Sequence, residues 1–152
     1  MTAVVNTLNP DIYTKRSDTI ANRKRHYETI FILAPGTDEK VVTALLEKYT
    51  TSLETLGSSI LRKDDWGKMK LAHEIEKHGQ GRYFYYRYIA TASAVLELER
   101  NLKLEVAILR FLTVRLSDVL SGAEQEDLKQ RAAKEPSTPP NHTRADEYSD
   151  FE

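Results

Sequence analysis

The 152-residue sequence predicts an α+β fold in which two helices cover one face of a four-stranded antiparallel sheet. Three observations predict it: runs rich in β-branched and aromatic residues, apolar side chains that recur every three or four residues between those runs, and turn residues at the boundaries. The elements follow one another as strand, helix, strand, strand, helix, strand. Each helix has a single apolar stripe, so the other sheet face is expected to be open for a partner.

The first strand and helix are predicted in the segment 25–57. Residues 25–33 are rich in strand-forming side chains and stop at the turn signal Ala34-Pro35-Gly36. Thr37 or Asp38 can cap the helix that follows, and Gly57 can end it. The predicted buried face of this helix is Val42, Leu46, Tyr49, Leu53 and Leu56.

The other elements complete a split βαβ pattern. Strand two is expected to begin at 58–63 and to continue past a bend at Gly67, and a turn at 78–81 separates it from the aromatic strand 82–89. Ser93 can cap the second helix, which buries Val95, Leu98 and Leu102, and residues 109–116 form the last strand. This order is that of the ferredoxin-like fold.

Charge and composition divide the chain into three parts. Residues 1–22 lack periodicity and predict a flexible leader, residues 23–117 form the folded domain, and residues 118–152 form an acidic extension with a short helix to about Ala133 and a disordered tail. Residues 23–116 carry sixteen basic and twelve acidic side chains, whereas residues 117–152 carry four and nine. A basic body with an acidic tail is compatible with a nucleic-acid partner.

Several classes of protein are excluded or disfavoured. The chain has no cysteine, its longest apolar run is Ile30 to Ala34, and no secretory signal is visible. We therefore expect no disulfide scaffold and no membrane partner. His73 and His78 lack a convincing set of further metal ligands, and Asp64 and Asp65 are interpreted as a solvated turn whose side chains diverge. We predict no catalytic residues, no metal and no cofactor, and hence no enzyme.

The segment 64–83 interleaves basic and aromatic residues around glycines, which favours contact with phosphates and bases. We predict that Lys68, Lys70 and Arg82 neutralise phosphates and that Arg87 adds to the same surface or to a protein interface. In the aromatic strand, one alternating set must belong to the core: either Phe84, Tyr86 and Tyr88, or Tyr83, Tyr85, Arg87 and Ile89.

The chain resembles the bacterial small-subunit ribosomal protein six family from about residue 25 to 116. The residues that carry the resemblance are Tyr27-Glu28, Asp65-Trp66-Gly67-Lys68, Leu71-Ala72, Ile75, Lys77-His78, Gly81, the run Leu98 to Leu104 and the run Leu109 to Arg115. The resemblance implies a structural constituent of the small subunit in the cytoplasm. It further implies binding to the central domain of 16S rRNA, jointly with ribosomal protein eighteen as a heterodimer.

The sequence departs from the family pattern in two places. The chain has Met69-Lys70 where the family usually has Arg-Arg, and His73 where it has Tyr. Lys68 and Lys70 must therefore carry more of any RNA contact. Two alternative functions are an RNA-recognition motif, whose third-strand pattern fails around Gly81, and a ferredoxin-like metabolite-binding or enzymatic domain, which needs convergent polar groups.

Overall fold

The computed structural model describes residues 23–118 and 120–136, and it confirms the predicted ferredoxin-like order. The elements are β1 (Arg25–Leu33), α1 (Glu39–Thr55), β2 (Ser59–Ile75), β3 (His78–Ala90), α2 (Ala92–Leu104), β4 (Ile108–Arg115) and α3 (Gly122–Lys134). The strands form one antiparallel sheet in the order β2-β3-β1-β4. The flexible leader and the disordered tail were predicted for residues that lie outside the described part.

The core lies between α1, α2 and one face of the sheet, and Phe31 is at its centre. The Phe31 ring stacks on Phe84 with centroids 5.4 Å apart and meets the edges of Tyr49 and Tyr86 at 5.6 and 5.3 Å. Burying each large apolar side chain contributes roughly 1.5–3 kcal/mol. This cluster joins β1, β3 and α1, so it fixes which face of the sheet the helices cover.

The hairpin turn between β2 and β3 was predicted wrongly. The chain turns at Glu76 and Lys77, which have φ angles of 48° and 66°, and β3 already begins at His78. Two central residues with positive φ are typical of a tight type I′ hairpin turn, which usually uses Asn or Gly. Because neither residue type is present at the turn, the glycines nearby gave a misleading signal.

Two details of the helices also differ from the prediction. Thr91, not Ser93, caps α2, since the Thr91 side chain accepts a hydrogen bond from the amide of Ala94. In α1, Asp38 is the cap as expected, but Leu45 takes the buried place predicted for Leu46, which is only partly buried. Leu56 lies just beyond the helix and is 43% exposed.

The sequence predicted that the second face of the sheet is open, but the structure shows that it is partly covered. The end of α3 lies against it: Ala132 is buried, and the Arg62 guanidinium donates to the Glu135 carbonyl oxygen at 3.1 Å. The start of this segment is tied to the residue before β1 by a hydrogen bond from the Leu120 amide to the Lys24 carbonyl. The extension therefore covers part of a surface that the two main helices leave free.

We expect Gly81→Ala to destabilise the fold. A Cβ at Gly81 would lie 2.3 Å from Cγ2 of Ile32, a stiff β-branched side chain that is almost fully buried. Overpacking of this kind costs about 1–3 kcal/mol. Denaturant unfolding measures the loss, with Gly79→Ala as the matched control because nothing lies within 4 Å of its Cβ position. Equal stability of the two variants would contradict the packing described for Gly81.

Candidate nucleic-acid interface

Lys68 and Lys70 lie on β2 where it approaches the hairpin, and both are exposed. They are opposite Arg82 and Gln80 of β3, so their side chains leave the same sheet face as Arg82. Neither lysine forms an ion pair with any residue among 23–118 and 120–136. Their charges are therefore free to meet an external anion.

Arg82 is placed differently, because two carboxylates hold it. Its guanidinium bonds Asp65 and Glu39, each at 2.5 Å, and lies 5.1 Å from the centre of the Phe84 ring. Burial alone would raise the pKa of Asp65, but hydrogen bonds from Arg82 and from the Gly67 amide outweigh it and lower that pKa. Arg82 thus ties the start of α1 to the β2–β3 hairpin, and its charge is largely neutralised.

Arg87 lies on the opposite sheet face, so the four predicted RNA-binding residues do not form one site. Its guanidinium bonds the Glu135 carboxylate at 2.7 Å, and Arg62, directly across from it on β2, lies 3.7 Å from the same carboxylate. The hydrogen bond from Arg87 lowers the pKa of Glu135. The surface formed by Arg62, Arg87, Trp66 and Tyr85 is called the arginine face below.

The structure shows which of the two alternating sets of side chains in the aromatic strand belongs to the core. Phe84, Tyr86 and Tyr88 are buried in the core, whereas Tyr85 lies with Arg87 on the arginine face. The Tyr85 ring stacks on Trp66 with centroids 4.9 Å apart, and its hydroxyl donates to Glu28 at 2.8 Å. Burial, together with the Glu28 carboxylate, raises the pKa of Tyr85 to about 12.

Apolar residues continue this sheet face toward the β4 edge. Ile30 of β1 pairs with Leu112 of β4, and Glu28 pairs with Val114, so all four side chains share the face with Tyr85. Leu112 is 61% exposed and Val114 is 39% exposed. Exposed leucine and valine on an edge strand are typical of a surface that a partner protein covers.

The structure also bears on three features that the sequence disfavoured: a site at the acidic pair, a metal site and a membrane-spanning helix. Asp64 and Asp65 lie within β2 rather than in a turn, and they diverge as expected: Asp64 pairs with Arg62, and Asp65 pairs with Arg82. Among residues 23–118 and 120–136, no group of acidic and histidine side chains could hold a metal ion. Within the same residues, no helix is long and apolar enough to cross a membrane.

Sequence reasoning missed Arg62 and Glu135 as members of a charged cluster. They are 73 positions apart in sequence and meet only because the extension folds back over the sheet. The only signal available was the opposite charge of the body and the extension, which predicts attraction but not the contacting residues.

Comparison with known proteins matches the sheet and its two main helices. The family described as ribosomal protein S6 matches residues 26–115. A small ribosomal subunit protein bS6 of Trichlorobacter lovleyi is 39% identical over 121 residues, covering 72% of this chain and 99% of the relative. One from Syntrophobacter fumaroxidans is 35% identical over 115 residues, covering 76% and 77%. The crystal structure of 30S ribosomal protein S6 from Thermotoga maritima aligns with a TM-score of 0.58 and 26% identity, covering 74% of this chain and 97% of that one.

We expect His26 to make the fold sensitive to mild acid. Burial and the nearby Arg87 charge lower the pKa of His26, although Glu28 and Glu135 partly oppose them. The unfolded chain then takes up a proton near pH 6.5 while the folded chain resists it, so stability is full above that pH and falls as the pH drops below it.

The measurement is thermal unfolding between pH 7.5 and 5.5. His26→Gln should flatten the pH dependence, whereas the exposed His73→Gln should leave it unchanged. If the pH dependence of thermal stability is the same in His26→Gln as in the wild type, other titrating groups cause it.

Proposed function

This chain belongs to the ribosomal protein S6 family, and from that membership we propose that it binds the central domain of 16S rRNA jointly with ribosomal protein eighteen. The observation that carries the proposal is the division of its surface. One end of the β2–β3 hairpin bears two lysines that pair with no acidic group in the described part of the chain, and the β4 side of the sheet bears exposed apolar residues. The first suits phosphate, and the second suits a protein.

The family settles several of the broader expectations. Its members are structural constituents of the small ribosomal subunit, which is cytoplasmic in bacteria, and they are not enzymes. The predicted class, its location and the absence of catalysis are thereby confirmed, and the enzymatic alternative is wrong. The family match also disfavours the RNA-recognition motif as an account of the same strand order.

In this proposal, Lys68 and Lys70 make the main phosphate contacts. They are exposed, unpaired among the described residues and on one strand face, so they can follow successive phosphates. Arg82 supports this surface mainly by fixing the hairpin to α1, since two carboxylates already surround it. Arg87 belongs to the opposite face of the sheet.

The protein partner is proposed to cover Ile30, Leu112 and Val114. The folded domain has only a modest excess of positive charge, and each phosphate contact is weakened by salt, so two lysines alone give weak binding. A second protein enlarges the RNA-binding surface and also buries the exposed apolar side chains. Both effects favour joint over separate binding.

Lys68→Gln and Lys70→Gln should each weaken binding to a central-domain rRNA fragment. With one phosphate contact fewer, binding releases fewer counterions from the RNA. The plot of log affinity against log salt concentration should therefore become shallower by about one for each lysine. Filter binding or fluorescence anisotropy over a salt series measures this. Lys48→Gln on α1 is the matched control, since it removes the same charge from an exposed helix position. An effect as large in Lys48→Gln would show that only overall charge matters.

Leu112→Glu should abolish the gain that ribosomal protein eighteen gives to rRNA binding. The charge would face the apolar surface of the partner, whereas Leu112 is too exposed in the free chain for its loss to unfold the domain. The measurement is rRNA affinity of the chain alone and with the partner, where the wild-type pair should bind at least about tenfold more tightly.

Val106→Glu is the matched control because Val106 is 88% exposed outside the sheet face. If the chain alone binds the rRNA as tightly as the pair does, joint binding is wrong. If Leu112→Glu still forms the pair, the partner uses another surface.

A further inference from the structure

Two arginines face each other across neighbouring strands on the arginine face. Arg62 of β2 is paired in register with Arg87 of β3, and like charges in that position repel. Asp64 neutralises Arg62 in part, with an oxygen 3.1 Å from its guanidinium. Glu28 of β1 is in register with Arg87 and adds a second carboxylate to this face. The Glu135 carboxylate, which the extension brings in, contacts both arginines. The cluster is therefore an anion site that the chain fills with its own side chain.

A cavity of about 410 Å³ adjoins this site and is lined by Ile30, Trp66, Tyr85 and Pro136 together with the charged cluster. Two buried donors beside it, Nε of Arg87 and Nε1 of Trp66, have no hydrogen-bond partner among the described residues. Buried donors without partners are rare in folded proteins. Their presence beside an occupied anion site indicates that the contacts of the free chain are incomplete.

We propose that the arginine face is a second RNA contact, which the Glu135 segment covers in the free protein. Arg62 and Arg87 would bind a phosphate in place of the Glu135 carboxylate, and a base would stack beside Trp66. Guanidinium groups suit phosphate, and aromatic rings suit unstacked bases, so the combination fits single-stranded RNA better than it fits an acidic peptide. This inference rests on the proposed function, because it assumes that the chain binds rRNA.

The Glu135 segment, called the cover below, is held weakly enough to detach from the arginine face. Ala132 is the one residue of α3 that is buried, and Glu135 is 46% exposed on its side chain. In its ion pairs with Arg62 and Arg87, whose own side chains are 11% and 13% exposed, water and salt screen the charges from the Glu135 side. The helix itself carries its own capping box of Ser121 and Glu124 and its own ion pair between Arg131 and Asp127. It can therefore detach as a unit, and it lies outside the family match to residues 26–115.

Glu135→Gln should open the cover and strengthen RNA binding roughly threefold to tenfold. The matched control is Glu126→Gln, which removes the same charge from an α3 side chain that pairs only with Lys129 among the described residues. Trp66 is the sole tryptophan of the chain, so its fluorescence reports directly on the arginine face. The probes are a decamer of uridylate and the central-domain rRNA fragment, each titrated into full-length protein.

The first measurement needs no RNA. Hydrogen exchange across 121–134 should be faster in Glu135→Gln than in the wild type or in Glu126→Gln, and the emission of Trp66 should change with it. In the second measurement, both RNAs should quench Trp66, and the quenching should disappear in Arg87→Gln and persist in Arg87→Lys. If hydrogen exchange is unchanged in Glu135→Gln, the Glu135 carboxylate does not hold this segment over the arginine face and the proposal is wrong.

The remaining outcomes separate this inference from the proposed function. If RNA binds through Lys68 and Lys70 without quenching Trp66, the proposed function stands and the arginine face is not an RNA contact. If Glu135→Gln improves binding of ribosomal protein eighteen but not of RNA, the face belongs to the protein and the inference is wrong. If no RNA binds with or without that partner, the proposed function itself fails, while the exchange result still tests the cover.

Discussion

The burial of alternate rings of β3 beneath the helices is the constraint on which the other features depend. Phe84, Tyr86 and Tyr88 are almost completely inaccessible, and Phe31 packs against the first two of them. A shift of one residue in the register of β3 would expose these rings and place Arg87 among apolar side chains, at a cost of several kcal/mol. Only one register is compatible with the core, and it sends Tyr85 and Arg87 to the other face.

The same register sorts the basic side chains into those used by the fold and those left for a partner. Gly67, with φ of +77°, lies at a bulge that shifts the pairing of β2 with β3. Asp65 comes within reach of Arg82 on one side of this bulge, while Lys68 and Lys70 continue past it and form no ion pair with the carboxylates of the described residues. Whether a cation is structural or available is decided by the acidic groups that the fold brings close to it.

The order of strands and helices could be predicted from the sequence because the sequence signals for each element are local and agree with one another. The limits of β1 were predicted to the residue, since a run of strand-forming side chains ends there at Pro35 and Gly36. The turn at Glu76 and Lys77 was missed because it depends on backbone strain rather than on a residue signal. The candidate site was predicted less well: the sequence left open whether Arg87 joins the phosphate-binding surface or a protein interface, and the structure places Lys68 and Arg87 on opposite faces.

A carboxylate that is part of the chain competes with phosphate for the arginines differently from a carboxylate in solution. Glu135 follows α3 directly, so its effective concentration near Arg62 and Arg87 is on the order of millimolar even though each contact is weak. A single free phosphate group must therefore reach a concentration of that order to compete with it. An RNA already held by Lys68 and Lys70 on the opposite sheet face is itself tethered, so a more distant stretch of the same RNA has a raised local concentration at the arginine face, and it adds the stacking that Glu135 lacks. In the proposed scheme, contact at the hairpin therefore precedes opening of the arginine face, and the cover discriminates against anions that bring charge alone.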